Sequence, residues 1–162
     1  MIKLSSLVRT ALFVRDLERS AAFYREVLEL TEPYYEGTLD DPTVCQLLGV
    51  PAGSVARALI LKVAGQTMGM VGLFEITDPP PKVERSSGGA HVGETCLVFY
   101  CADLDPVHDR LQARGDTVLS PPVPLVVDGR SKQREMVFRD PDGVMINLIE
   151  WDPDEPRRPE LS

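Results

Sequence analysis

Leu12-Phe13-Val14-Arg15-Asp16-Leu17 and Val98-Phe99-Tyr100-Cys101-Ala102-Asp103-Leu104 are two versions of one phrase. Each is a short apolar run of strand character that ends at an Asp-Leu pair, with a helical pattern behind it. A strand–helix unit used twice in a small chain predicts two similar modules that face each other and share a cleft. Working outward from the first copy, Asp16 suits a helix N-cap, because its carboxylate can accept from the free N–H groups of the first turn. Leu17, Ala21, Tyr24, Val27 and Leu28 then form an apolar stripe, with Glu18, Arg19, Arg25 and Glu26 on the other side. Pro33 closes this helical region.

Residues 36–57 are polar and rich in turn formers. Within them Asp41-Pro42 has the form of an N-cap followed by Pro at the first helical position, so a short helix to about Leu48 is expected, stopped by Gly49 and Pro51. Residues 57–63 and 70–77 read as strands joined by a Gly-containing turn. Asp78-Pro79-Pro80-Pro81 ends the first module, since successive prolines cannot continue a ladder. In the second copy a strand up to Cys101 leads to a helix capped by Asp103 or Asp105 and ended by Gly115. Short strands are expected at 117–119, 133–139 and 144–151, the last two joined by the tight turn Asp140-Pro141-Asp142-Gly143. The resulting division is a first βαβββ module over 1–82, a linker over 83–91, a second βαβββ module over 92–152 and a mobile tail over 153–162. The fold class is α+β: paired βαβββ modules forming a cupped, mostly antiparallel sheet with helices outside.

Composition narrows the function classes. The 162 residues are 43% hydrophobic, enough for a folded core and against disorder. A formal net charge of −8 argues against nucleic acid, which requires a concentrated basic surface. Three widely spaced cysteines, Cys45, Cys96 and Cys101, make no disulfide framework and fit a reducing, cytoplasmic setting. No stretch is apolar for long enough to act as a signal peptide or cross a bilayer.

Val14-Arg15-Asp16-Leu17 with Ala22-Phe23-Tyr24, then Val98-Phe99, Asp103-Leu104-Asp105 and above all Phe138-Arg139-Asp140-Pro141-Asp142-Gly143, resemble the vicinal oxygen chelate superfamily. That group includes glyoxalase I, bleomycin-resistance proteins, extradiol dioxygenases and fosfomycin-resistance enzymes. The resemblance runs in order from about Leu7 to Trp151. It implies paired βαβββ modules curling into a cup, often assembled as a homodimer. Fold alone does not assign an activity.

Metal-using members of the family hold one divalent ion by side chains from the first and last strands of each module, usually His or Gln and Glu. Counting back from the Asp-Leu junctions and the closing turn puts Arg9, Glu75, Cys96 and Asn147 at those positions. Arginine offers no lone pair to a cation. Cys96 with one carboxylate and one amide is a poor zinc set. The simpler expectation is a metal-free centre in which the Arg9 guanidinium takes the ion's place and pairs with Glu75. The register of the 92–101 strand stays open: sliding by two brings Glu94 into the cluster as a carboxylate pair with Glu75, and Glu75 and Glu94 with His91, or with Cys96, would then revive a metal site, although His91 after Gly88-Gly89 reads first as a solvated loop residue. By parity Phe13, Leu73, Val98, Tyr100, Met145, Ile149 and Trp151 are further cup-facing candidates, while Glu150 has the opposite parity.

Three functions follow. One is a metal-free protein that binds a small organic ligand through Arg9, Phe13, Glu94, Cys96, Tyr100, Asn147 and Trp151, as bleomycin-resistance proteins do. Another is a metal-dependent lyase or dioxygenase of glyoxalase type with an atypical ligand set. The third is a metal-free enzyme with Glu75 as general base, tuned by Arg9. No cofactor is expected, with a divalent metal as the alternative. The partner called for is a small molecule rather than nucleic acid or a membrane.

Overall fold

The computed structural model describes residues 2–77, 89–127 and 131–154. They fall into two compact units, one on each side of the segment 78–88. Residues 83–88 of the expected 83–91 linker and 155–162 of the expected 153–162 tail lie outside the described residues.

The first unit runs β1 (Arg9–Phe13), α1 (Leu17–Val27), β2 (Glu32–Leu39), α2 (Pro42–Leu48), β3 (Ala56–Lys62) and β4 (Met70–Ile76). The second runs β5 (Cys96–Tyr100), α3 (Asp105–Arg114), β6 (Val118–Val127), β7 (Ser131–Arg139) and β8 (Met145–Trp151). Each unit is βαβββ, with α2 added to the first, and the two sheets have the same strand order, β1-β4-β3-β2 and β5-β8-β7-β6. In each, the opening strand pairs in parallel with the closing one and the other two pairings are antiparallel. That ordering follows from the crossover helix, which returns the chain to the sheet with its direction restored.

The caps expected at Asp16 and Asp41 form. Asp16 accepts from the Arg19 backbone N–H at 3.0 Å, and Asp41 accepts from that of Thr43 at 2.7 Å. Gly115 ends α3 at φ 72°, a left-handed conformation that a side chain would disfavour. The helix starts at Asp105 without a side-chain cap of its own, and Asp103 instead accepts from the Asp105 N–H at 3.0 Å. Phe23, Tyr24 and Val27 of α1 are buried with Leu61 and Leu73 of the sheet, while Leu104, Leu111, Met136, Phe138 and Ile146 form the second core.

Three expectations are corrected. Strand β2 lies within the stretch read as a helix end and turn-rich loop: α1 stops at Val27, Glu29 takes φ 56°, and Pro33 sits in an edge strand, where its missing N–H costs no ladder bond. Strand β6 is much longer than three residues and contains Pro121, Pro122 and Pro124, tolerated for the same reason at the other sheet's edge. Strand β5 begins at Cys96 opposite Met145, so Glu94 precedes the strand.

Candidate functional site

Strand register assigns every candidate to a sheet face. In the first unit Arg9, Ala11 and Phe13 stand beside Met70, Gly72 and Phe74, and laterally paired residues share a face. The Phe13 and Phe74 rings lie 6.1 Å apart, and a Cβ on Gly72 would come within 3.6 Å of Arg9 Cδ. Glu75 therefore points the other way, toward α1. There its Oε2 accepts from the Leu17 backbone N–H at 2.8 Å and from Arg57 Nη1 at 3.3 Å. The expected Arg9–Glu75 pair does not form, because the two side chains leave opposite faces of the sheet. Arg9 is exposed and has no ionic partner among the described residues. Leu73 likewise faces the helix and is fully buried. On the open face, the first unit's counterpart of Asn147 is Gly72: Ala11 pairs with Gly72 as Val98 pairs with Asn147.

What Glu75 does is explained by its twin. Glu150 Oε2 accepts from the Leu104 backbone N–H at 2.8 Å and pairs with Arg134 at 3.3 Å. Arg57 also bonds Glu18 in the first turn of α1, and Arg134 also bonds Asp105 in the first turn of α3. In both units a carboxylate of the last strand thus caps the crossover helix, and an arginine of the neighbouring strand ties that carboxylate to an acidic residue of the helix. Anions at a helix N-terminus satisfy its free N–H groups and complement its dipole. Glu75 is a structural cap, and sequence reasoning missed both arginines. Aligning Arg57…Glu75 with Arg134…Glu150 is the signal that would have shown it.

Glu94 is also committed. It contacts Arg139 and accepts from the His91 backbone N–H at 3.1 Å, with His91 Nδ1 at 3.3 Å. Arg139 extends the cluster to the carbonyl oxygens of Gly143, at 2.7 Å, and Gly89, at 3.0 Å. The Arg139 hydrogen bond, assisted by His91, outweighs desolvation and holds the Glu94 carboxyl down to about 2. The cluster fastens the chain before β5 to the closing hairpin. His91, near the linker, is part of it.

The open face of the second sheet carries the remaining candidates. Register places Cys96, Val98 and Tyr100 beside Met145, Asn147 and Ile149, with Arg139, Val137, Glu135 and Gln133 continuing the rows on β7 toward Trp151. Val98 and Tyr100 are 57% and 49% exposed, so this face is not filled by core packing. Asn147 Nδ2 donates to Glu135 Oε2 at 2.9 Å, and Gln133 Nε2 donates to Glu135 Oε1. The Tyr100 and Trp151 rings meet edge to face at 6.0 Å. Burial raises the Cys96 thiol above its ordinary range, which opposes the thiolate needed for nucleophilic or metal chemistry. Glu135 and Gln133 escaped the sequence reading, although carrying the alternation across the Asp140–Gly143 turn from Asn147 leads to them.

The metal set fails on its own chemistry. Arg9 is a cation, Gly72 has no donor, burial holds Cys96 toward its protonated thiol, and Glu75 and Glu94 are committed to helix and arginine partners, which leaves the amide oxygen of Asn147 alone. Among the described residues there is no group of three or more His, Cys, Asp or Glu placed to hold an ion.

Comparison with known proteins agrees with the fold. A glyoxalase family of the glyoxalase/bleomycin resistance protein/dioxygenase superfamily matches residues 6–148. The chain is similar to a glyoxalase family protein from Bacillus cereus, at 18% identity over 93% of this chain and 96% of that one, with a TM-score of 0.74. A glyoxylase/bleomycin resistance protein/dioxygenase domain from Frankia sp. EAN1pec is 19% identical, over 94% and 96% of the two chains, with a TM-score of 0.65. A fosfomycin resistance protein from Listeria monocytogenes, solved with Mn(II), is 19% identical over 94% and 97%, with a TM-score of 0.59. No curated protein sequence matches. With matching βαβββ units and a family match across most of its length, the chain belongs to the glyoxalase/bleomycin resistance protein/dioxygenase superfamily.

Proposed function

We propose that this protein binds a small organic molecule on an open sheet face and works without a catalytic metal, a role like that of the superfamily's resistance proteins. The observation that carries the reading is the exchange of donors at the family's metal positions: Arg9, Gly72, Cys96 and Asn147 offer a divalent ion one thiol and one amide oxygen beside a cation, a poor set, whereas the exposed Val98 and Tyr100 beside the Asn147–Glu135 bond suit a partly apolar ligand. Glu75 as a general base has lost its support, because its carboxylate is engaged by Leu17 and Arg57 on the helix side. Homodimer assembly belongs to the proposal on the family's habit. A reducing, cytoplasmic setting belongs to it because Cys45, Cys96 and Cys101 are all free thiols. No helix of the described residues is long and apolar enough to cross a membrane.

Elemental analysis of protein purified without chelator tests the metal-free half. We expect far less than one equivalent of zinc, iron, nickel or manganese, and an unfolding temperature unmoved by a chelator. A stoichiometric divalent ion, or an unfolding temperature lowered by a chelator, would overturn it. A thermal-shift screen of small organic molecules tests the other half, since a ligand that binds only the native state raises the apparent stability.

A further inference from the structure

We infer that the open face of the second sheet is a recognition site for an organic cation, specifically a primary ammonium or amidinium joined to an apolar or aromatic body. The inference rests on the small-ligand reading above and names the ligand class.

The chemistry follows from what Glu135 does to its neighbours. A carboxylate accepts hydrogen bonds and donates none, so an amide that bonds to it must present its NH2 group. Asn147 and Gln133 both do so, one on each oxygen of Glu135. Their own carbonyl oxygens are thereby turned away from the carboxylate. What remains for a ligand is the negative charge and unused lone pairs of Glu135 and two amide oxygens, with the second N–H of each amide beside them, so acceptors and negative charge dominate the set. Such a set suits a group with several N–H donors and a positive charge, and repels a carboxylate or phosphate.

The rest of the face supplies the body of the site. One row across the sheet runs Glu135, Ile149, Tyr100, and the next pairs Gln133 with Trp151. Strands are spaced by about 4.8 Å, so Glu135 and Tyr100 stand roughly 10 Å apart across Ile149. A ligand of benzylamine or phenethylamine size spans that distance, with its cationic head at Glu135 and its apolar part over Ile149 and the aromatic pair. Aromatic faces also attract cations directly. The competing cation on this face, Arg139, lies two rows away and is already engaged by Glu94. The formal net charge of −8 favours approach of a cation further.

The chain has a single tryptophan, and it sits in the proposed site, so its fluorescence reports directly. The full chain would be titrated with phenethylammonium and benzamidinium, with 3-phenylpropanol as the neutral and phenylacetate as the anionic comparison. We expect saturable change in Trp151 emission for the two cations, weakening as salt is raised, and binding at least tenfold weaker in Glu135→Gln. Tyr100→Ala, which leaves the charge intact, is expected to weaken the cations several-fold. Circular dichroism and thermal unfolding confirm that both variants are folded. Saturable binding of 3-phenylpropanol or phenylacetate as tight as that of the cations would overturn the cation assignment while leaving the small-ligand reading standing. Cation binding unchanged in Glu135→Gln would also overturn it. Silence of Trp151 toward all four probes would overturn the site itself.

Discussion

Glu75 shows how much a single side chain's direction decides. As a residue type it is the obvious ligand or base of the first module, yet register turns it toward α1 and Leu17. Its value is therefore in stability. Replacing Glu75 with Gln removes a charge-assisted cap and is expected to cost about 1 kcal/mol, as the loss of an N-cap does. Arg57→Ala breaks ion pairs that are largely solvated, so about 0.5 kcal/mol is expected. Glu150→Gln should exceed Glu75→Gln, because the Glu150 side chain is 17% exposed against 30% for Glu75. Urea unfolding of the variants measures all three, and binding of small cations should not follow any of them. A larger effect of Arg57→Ala than of Glu75→Gln would contradict the cap as the main contribution.

At the scale of elements, the closing hairpin depends on more than its turn residues. Asp140 Oδ1 accepts from the N–H groups of Asp142 and Val144, at 2.9 and 2.7 Å, which organises the turn locally. Arg139 and Glu94 then tie it to the chain ahead of β5. Glu94 is depressed in the folded state, so its contribution is complete above the unfolded-state pKa near 4.5 and is lost as pH falls toward about 2. The stability difference between the wild type and Glu94→Gln should hence be constant from pH 6 to 8 and shrink below about pH 4.5. A difference that grows on acidification would refute this assignment. In the first sheet, Gly72 is required by packing, since an added Cβ would approach the Phe74 ring to 2.8 Å. Gly72→Ala gains about 0.4–1 kcal/mol from the unfolded chain but overpacks a buried ring at a cost of about 1–3 kcal/mol. Net destabilisation of roughly 1 kcal/mol is expected in urea unfolding, and a stabilised variant would show that Phe74 yields freely.

At the scale of the whole molecule, the repeated Asp-Leu phrase was enough to read two βαβββ units, their caps and the closing turn. These are local matters: a carboxylate finds N–H groups two or three residues on, and apolar spacing records which side is buried. Strand β2 was not legible and β6 only in its first residues, because edge strands tolerate polar and proline-rich sequences that look like loops. The candidate site was legible only in part. Cys96, Val98, Tyr100 and Asn147 were placed on one face by alternation, and the structure puts them there. Glu75 was misplaced because the first module has no Asp-Pro-Asp-Gly turn to count from, and a slip of any odd number of residues, here from Gly72 to Glu75, exchanges the faces of a strand. Glu135 was overlooked because its importance comes from two amides on it, one of them on another strand. The residues alone were enough for the duplicated plan, most of its elements and the superfamily. Only the tertiary structure decided that Arg9 and Glu75 are separated by a sheet, that Glu94 belongs to an arginine, and that Glu135 is the carboxylate on the open face, since each depends on pairing between residues far apart in the chain.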